Sequence, residues 1–421
     1  MQFLDFLVND ILSEPAVLIG VMTFIGLVAA KKNFSQIMSG TFKSIIGFVI
    51  LGAGAGVLVQ SLNNLGPIIT EAFNIHGVVP TNEAVVAVAQ KTLGKETALI
   101  MGFGFLANLA YARFTPLKYI FLTGHHTFFM AALLAAVLGT AGLTGAPLVI
   151  VGSAILGFLM VLMPALADSF MKEITGSDDI ALGHFGTTAY VVSGFIGKLV
   201  GNPEDSTEDI EVPKSLGFLK QSLLSTAITM TVIFLIIVLK AGPEIVSKYA
   251  GDQSLFMFAV MQGITFAAGV SIIMSGVRMI LGEIVPAFEG IVEKVVPDAK
   301  PALDCPVTFN FAPTAVTIGF LSSFLGGIVG MFLLGPLGLA LIIPGLVPHF
   351  FCGATAGVFG NATGGKKGAV LGAFVHGIMI TFLPALLLPV LGNLGFANIT
   401  FGDADFGVVG IIIGTIAKLF S

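Results

Sequence analysis

Asp304 lies in the run Pro301-Ala302-Leu303-Asp304-Cys305-Pro306, which continues to Asn310 and Pro313 between two long apolar stretches. Proline lacks a backbone N–H and its ring clashes with the preceding turn, so this segment cannot be one continuous helix. In a bilayer, non-helical backbone persists only where protein or a water-filled cavity satisfies its polar groups, and an ionisable side chain at that depth marks a functional site by default. We therefore read Asp304 as the floor of a polar pocket. Three further landmarks begin or end apolar segments: Asn82 with Glu83, His125 with His126, and His184; Asn310 joins Asp304. His125 and His184 directly follow Gly124 and Gly183, where backbone can approach a ligand closely. Imidazoles with an ordinary pKa of about 6.5 can donate or accept hydrogen bonds to a hydroxyl-rich solute. Burying a carboxylate costs about 2.5–3.5 kcal/mol on insertion scales, which argues against accidental placement.

Plainer readings stand beside these. Glu83 could lie at the membrane surface, and His349 and His376 read as hydrogen-bonded structural residues. Cys305 and Cys352 sit in apolar stretches, where they read as small buried hydrophobes rather than a disulfide framework. Metal binding is the alternative for the histidines, but no HExxH or paired Cys/His spacing supports it, so neither a metal nor a cofactor is expected.

The elements that must position these side chains belong to a membrane protein. Of 421 residues, 56% are hydrophobic and 10% charged, against about 25% charged in soluble proteins, and the mean hydropathy is +1.01. A net charge of −5 leaves no basic surface for nucleic acid. Runs of spanning length cover Pro15 to Ala30, Ser44 to Leu62, Thr97 to Ala112, Thr127 to Leu143, Pro147 to Ala167, Leu219 to Leu239, Leu255 to Met274, Thr314 to Leu334, Leu337 to Phe351 and Val370 to Leu391, with a short last one at Val408 to Phe420. About eleven transmembrane helices are thus expected in an all-α polytopic fold. Val78 to Gln90, His184 to Val200 and His349 to Gly360 are too apolar for solvent loops and too broken for spans, and read as re-entrant or interfacial segments. Met1 to Glu14 lacks the basic start of a cleaved signal peptide and has apolar residues at helical spacing, which suits an interfacial helix.

The strongly charged loop, Asn202 to Lys214, divides the chain nearly in half. Ile37-Met38-Ser39-Gly40 recurs as Ile273-Met274-Ser275-Gly276, His125 has a counterpart in His349, and Pro80-Thr81-Asn82-Glu83 holds the place that Asp304 holds later. Two repeats, over about 15–200 and 255–420 with a linker at 201–216, are expected within one membrane domain spanning 1–421. Repeated halves with interrupted helices point to a transporter whose site lies near the midplane.

At these residues the chain resembles, over nearly its whole length, the membrane IIC component of the ascorbate-type sugar phosphotransferase system, in the ascorbate–galactitol superfamily. The matching stretches include Ile45-Ile46-Gly47-Phe48, Leu122-Thr123-Gly124-His125, Gly183-His184, Gly276-Val277-Arg278-Met279, Leu303-Asp304-Cys305, Phe311-Ala312-Pro313, Ile343-Pro344-Gly345 and Gly357-Val358-Phe359. The resemblance implies a homodimer in a bacterial inner membrane, each protomer having eleven spans in two inverted repeats divided into a core domain and a V-shaped dimerisation domain. It implies elevator-like movement of the core. It also implies phosphorylation of the solute at the cytoplasmic face by a separate IIB protein, which receives phosphate through IIA, HPr and enzyme I. His125, His184 and Asp304 match positions that contact ascorbate. Phe129 and Phe185 stand where glutamines are expected, Asn82 and Glu83 replace another polar pair, and Ala55 stands in place of a serine. Asn82, Glu83, His125, Phe129, His184, Phe185 and Asp304 are the expected solute contacts, with no catalytic residue. The solute is ascorbate or a related sugar or polyol. An ion-coupled secondary carrier titrating Glu83 or Asp304, and an intramembrane enzyme using Asp304 and His125, are the competing readings; no Walker motif suggests an ATP-driven pump.

Overall fold

The computed structural model describes residues 15–74, 77–210, 221–294, 296–391 and 400–419; the helix expected over Met1 to Glu14 and the linker end 211–216 lie outside them. In chain order the elements are α1 (Pro15–Ala29), α2 (Phe34–Phe73), α3 (Asn82–Phe114), β1 (Tyr119–Phe121), α4 (Gly124–Thr140), α5 (Gly145–Thr175), β2 (Ala181–Leu182) and α6 (Thr187–Val200). After a short 3-10 turn at Thr207–Asp209 follow α7 (Ser222–Ala250), α8 (Leu255–Lys294), β3 (Lys300–Leu303), a 3-10 helix at Cys305–Asn310, α9 (Pro313–Leu334), α10 (Leu346–Leu391) and α11 (Ala404–Leu419). Among the described residues, seven helices are long and apolar enough to cross a membrane, and four shorter apolar helices accompany them. The chain is a polytopic α-helical membrane protein.

Helix limits follow local chemistry. Asn33 opens α2 with a reciprocal cap: its side chain accepts from the Gln36 N–H at 2.9 Å while Gln36 Oε1 accepts from the Asn33 N–H at 3.1 Å. The span expected from Leu337 to Phe351 is not one helix. Pro336, a left-handed Gly338 and Pro344 end α9 at Leu334, and helix resumes only at Leu346. His349 to Gly360, expected as a re-entrant or interfacial piece, lies within the first arm of α10, which breaks at Gly365. Gly365 has φ +58°, and a Cβ there would lie 2.2 Å from the Asp205 carbonyl oxygen, so the charged loop docks where only glycine fits. α3 is likewise interrupted at Leu93 and α7 at Gly242. Glu283 pairs with Lys43 at 3.1 Å, linking α2 to α8.

Packing sorts the helices into two groups. α1, α2, α7 and α8 pack on one another, whereas α3 to α6 and α9 to α11 form a second set. Glycines let backbones meet: a Cβ on Gly276 of α8 would lie 2.5 Å from the Leu51 nitrogen of α2. Small residues at such crossings are how membrane helices pack closely.

Two clusters of extended backbone lie where helices are interrupted. In the first, β1, β3 and β2 form a parallel sheet in that order, with Tyr119 opposite Lys300 and Ala181 opposite Ala302. In the second, Val78 bridges Ile342 in parallel, and the Thr81 N–H donates to the Thr400 carbonyl at 2.9 Å. The exposed edge of β1 is satisfied by a helix side chain: Asn108 of α3 donates to the Tyr119 carbonyl and accepts from the Phe121 N–H, both at 3.1 Å. Backbone that cannot reach water is thereby paired inside the protein.

Candidate solute-binding site

Parallel strands point the same way, so whatever follows each strand emerges at the same end of the sheet. β1 leads through Leu122-Thr123-Gly124 to His125, β2 through Gly183 to His184, and β3 directly to Asp304. The pairing extends beyond the strands, with the Leu122 N–H donating to the Ala302 carbonyl at 2.9 Å and the Gly183 N–H to the Leu303 carbonyl at 2.7 Å. A Cβ on Gly183 would lie 2.4 Å from the Ala302 carbonyl oxygen, so glycine lets His184 follow the strand this closely.

His125 Nε2 lies 3.5 Å from Asp304 Oδ2, and His184 Nε2 lies 3.8 Å from Asp304 Oδ1. Both separations exceed the roughly 2.7–2.9 Å of a direct charge-assisted bond, so these groups converge without satisfying one another. Asp304 also caps the 3-10 helix by accepting from the Cys305 N–H at 2.7 Å. Its side chain is 14% exposed and that of His125 38%, whereas His184 is buried. The His184 ring is held from behind, where the Tyr190 hydroxyl of α6 meets its Nδ1 at 2.9 Å. Nε2 is left to face Asp304.

Aromatic rings form the apolar wall. Phe129 packs edge-on against His125 with centroids 5.8 Å apart, while Phe185 is fully buried and stacks on Phe121 at 5.0 Å. His126 lies under His184 at 3.8 Å between centroids, stacks on Phe406, and its Nδ1 accepts from the Phe185 N–H at 3.4 Å. Ala55 is partly buried on α2.

Asn82 stands at the first turn of α3, in the second cluster of extended backbone. Its Nδ2 donates to Asp403 Oδ2 at 2.8 Å, and its Oδ1 accepts from the Gly402 N–H at 2.8 Å. Glu83 is the next residue of the same turn. Asp403 is buried, and its Oδ1 accepts from the Cys352 thiol at 2.9 Å. Ligand atoms of His126, His184 and Asp403 all lie within 4.8 Å of one another, so the second cluster reaches the first through Asp403. Sequence reasoning did not single out Asp403, Tyr190 or Cys352 as parts of the site. The signal for Asp403 was present: Gly402-Asp403 opens an apolar run as Gly183-His184 does.

His349 and His376 have the structural role that the sequence suggested, since both Nδ1 atoms meet the Ser323 hydroxyl, at 2.8 and 2.9 Å. Two further groupings, His125 with His126 and Asp304, and His184 with Asp304 and Cys305, also bring possible metal ligands within 4.8 Å. They share Asp304, so they are overlapping descriptions of one polar centre. Donors and acceptors at this spacing equally suit the alternating hydroxyls of a polar solute.

The cavity beside Asp304 has a volume of only 20 Å³ and is walled by Ile19, Phe48, Leu51, Val277 and Ile280 of α1, α2 and α8, with Leu303 and Val307. That is room for about one water molecule and far less than a sugar needs. A solute therefore enters only if the two helix groups separate. A larger cavity of 960 Å³, between α3 and α5, is lined by Leu99, Phe103, Phe114, Val149 and Ile150 among others and lies away from this polar centre.

A family model described as "PTS system sugar-specific permease component" matches residues 10–405 of the chain. Among curated proteins, the ascorbate-specific PTS system EIIC component of Mycoplasma pneumoniae is 26% identical over 373 residues, covering 76% of this chain and 55% of that protein. The chain thus matches about half the length of that relative.

Proposed function

We propose, because this chain belongs to the family of sugar-specific permease components of the phosphotransferase system, that it carries ascorbate or a related sugar or polyol across a bacterial inner membrane for phosphorylation by a cytoplasmic IIB protein. The observation that carries this reading is the convergence of His125, His184 and Asp304 at the ends of three parallel strands. They form a polar centre with unsatisfied hydrogen-bonding capacity, inside a membrane protein and beside a closed hydrophobic seam. The relative's name supplies ascorbate as the first solute to test.

Eleven crossings, two inverted repeats over about 15–200 and 255–420, and a homodimer complete the proposal. The two clusters of extended backbone support the repeats. The segment before α9 pairs between those after α3 and before α6, and the segment before α3 pairs with those after α9 and before α11. Each half thus inserts its strand into the other. The four-helix group α1, α2, α7 and α8 is the natural V-shaped dimerising unit, and the rest is the moving core. Asn82, Glu83, His125, Phe129, His184, Phe185 and Asp304 remain the proposed site, with Phe185 acting from beneath by positioning His126.

The chemistry asked of this chain is binding and exposure of a hydroxyl at the inner face; the phosphoryl group comes from IIB, which itself receives it through IIA, HPr and enzyme I. Purified protein in sealed vesicles should accumulate phosphorylated solute only when phospho-IIB is enclosed. Accumulation of unmodified solute driven by an ion gradient would overturn the reading in favour of a secondary carrier.

A further inference from the structure

Asp304 is followed directly by Cys305, and the fold brings His184 to this pair from a distant part of the chain. One ring nitrogen of His184, a carboxylate oxygen of Asp304 and the Cys305 sulfur all lie within 4.8 Å of one another. Within that set His184 Nε2 is 3.8 Å from Asp304 Oδ1. The ligand atoms around a tetrahedral zinc, bound at about 2.0–2.3 Å, are about 3.3–3.8 Å apart, so a small inward shift closes the three groups on one ion. In chain order these residues have no metal-binding spacing. It is the pairing of β2 with β3 that assembles them.

The ligand types select the metal. Nitrogen, oxygen and sulfur in one set suit a borderline transition ion such as zinc, whereas magnesium and calcium take oxygens. The surroundings hold each ligand as a metal site requires. The Tyr190 hydroxyl meets His184 Nδ1 at 2.9 Å. With the proton on Nδ1, that oxygen accepts it and the Nε2 lone pair is turned toward Asp304, as in metal-binding histidines whose other nitrogen donates to a fixed partner. Asp304 Oδ1 accepts from the Cys305 N–H at 2.7 Å, which orients the carboxylate. The Cys305 thiol is buried and reaches the Phe351 carbonyl only at 3.9 Å, a weak contact that it can give up. The 20 Å³ cavity beside Asp304 has room for a small fourth ligand such as water.

We propose that His184, Asp304 and Cys305 form a zinc site that excludes the solute, so that zinc inhibits the carrier by competition. Binding forms bonds from the ion to His184 Nε2, an Asp304 oxygen and the Cys305 sulfur, and the thiol proton leaves to solvent. The competition rests on the reading of His184 and Asp304 as solute contacts; the metal site itself does not. All three ligands stand at one end of the parallel sheet, so the ion fills the site without bridging the two helix groups.

Cobalt is the probe, because a thiolate ligand gives it an intense charge-transfer absorption that imidazole and carboxylate do not. The purified full chain should bind a single equivalent of cobalt with that band and release it to zinc. The chain has two cysteines, so Cys305→Ser should abolish the band while Cys352→Ser keeps it. Cys305→Ser should also weaken metal binding by about tenfold or more, and Tyr190→Phe by about tenfold with the band retained. Thermal melting without metal checks the folding of each variant. Solute binding is then measured across ascorbate, pentitols, hexitols and aldoses. Zinc should lower the apparent affinity of the wild type for whichever solute it binds, and about tenfold more zinc should be needed for the same effect in Cys305→Ser. Cobalt bound without the band, or a band that survives Cys305→Ser, would overturn the metal site. The expected spectrum with solute binding indifferent to zinc would overturn the competition. A folded wild type that binds cobalt as expected but no member of the panel would overturn the solute reading and leave the metal site standing.

Discussion

In the proposed site, Asp304 and His184 are each held by a neighbour yet keep one polar atom for something else. Asp304 spends one oxygen on the Cys305 N–H, and His184 spends Nδ1 on Tyr190. Replacing Asp304 by Asn removes a charged acceptor, and replacing His184 by Ala removes a donor or acceptor. A hydrogen bond to a charged group contributes about 1.5–3 kcal/mol, so each variant should lose roughly tenfold to hundredfold in solute affinity while still purifying as folded protein. Near-normal uptake at low solute concentration by either variant would remove it from the site. These residues were legible in the sequence because each breaks a local rule: a carboxylate between prolines, and histidines directly after glycines at the edge of apolar runs. Asp403 breaks the same rule, directly after Gly402 at the edge of an apolar run, and was overlooked; Tyr190 and Cys352 break none. A tyrosine in an apolar helix or a buried cysteine has an ordinary packing role, and only the fold brings Tyr190 onto the back of a histidine six residues earlier.

At the scale of elements, the short parallel sheet does the positioning, and its far end is tied down by charge. Lys300, the first residue of β3, pairs with Asp168 at 2.8 Å and also with Asp178, while Lys172 holds the same two carboxylates at 3.1 and 3.0 Å. Beside them the Tyr119 hydroxyl is pushed up to about 12, mainly by burial and then by Asp168. Partial burial works to raise the Asp178 carboxyl, but the bonds from Lys300 and Lys172 outweigh it and hold the group below its ordinary 3.8. Above 3.8 the group is ionised whether folded or not, and the network contributes fully. As pH falls below 3.8 the unfolded chain takes up the proton first, so stability declines and the contribution is gone once the folded carboxyl also protonates. Melting of the purified protein, followed from about pH 5 to about pH 3, should fall more steeply for the wild type than for Asp178→Asn; parallel curves would show that the network does not brace the sheet. None of this sheet was visible in the sequence. β1, β2 and β3 have three, two and four residues, too few for an alternating pattern, and their partners lie far apart along the chain. Prolines and glycines told where helix stops, as at Asp304, but not which breaks would pair.

The whole molecule is two groups of helices meeting at a seam, with Asp304 on one side and the apolar faces of α1, α2 and α8 on the other. A 20 Å³ cavity cannot hold a sugar, so a carrier built this way works only if the seam opens or one group slides along the other. Few contacts cross it, and one of them offers a lock. The hydroxyls of Thr226 on α7 and Thr317 on α9 lie 3.0 Å apart, joining the two groups. Within one group, Thr23 of α1 and Ser44 of α2 are 2.9 Å apart and provide the matched control. Oxidising a Thr226→Cys, Thr317→Cys double variant should form a disulfide that arrests uptake, with recovery on reduction. A Thr23→Cys, Ser44→Cys disulfide should leave uptake close to normal, because those helices move together. The motion carries a further expectation: solute binding by the cross-linked Thr226/Thr317 variant should weaken along with transport, since the site is closed in the arrangement that the bond would trap. Full uptake by a protein shown by mass analysis to be completely cross-linked across the seam would rule out movement of one group past the other, and would require a path to Asp304 through the second group alone.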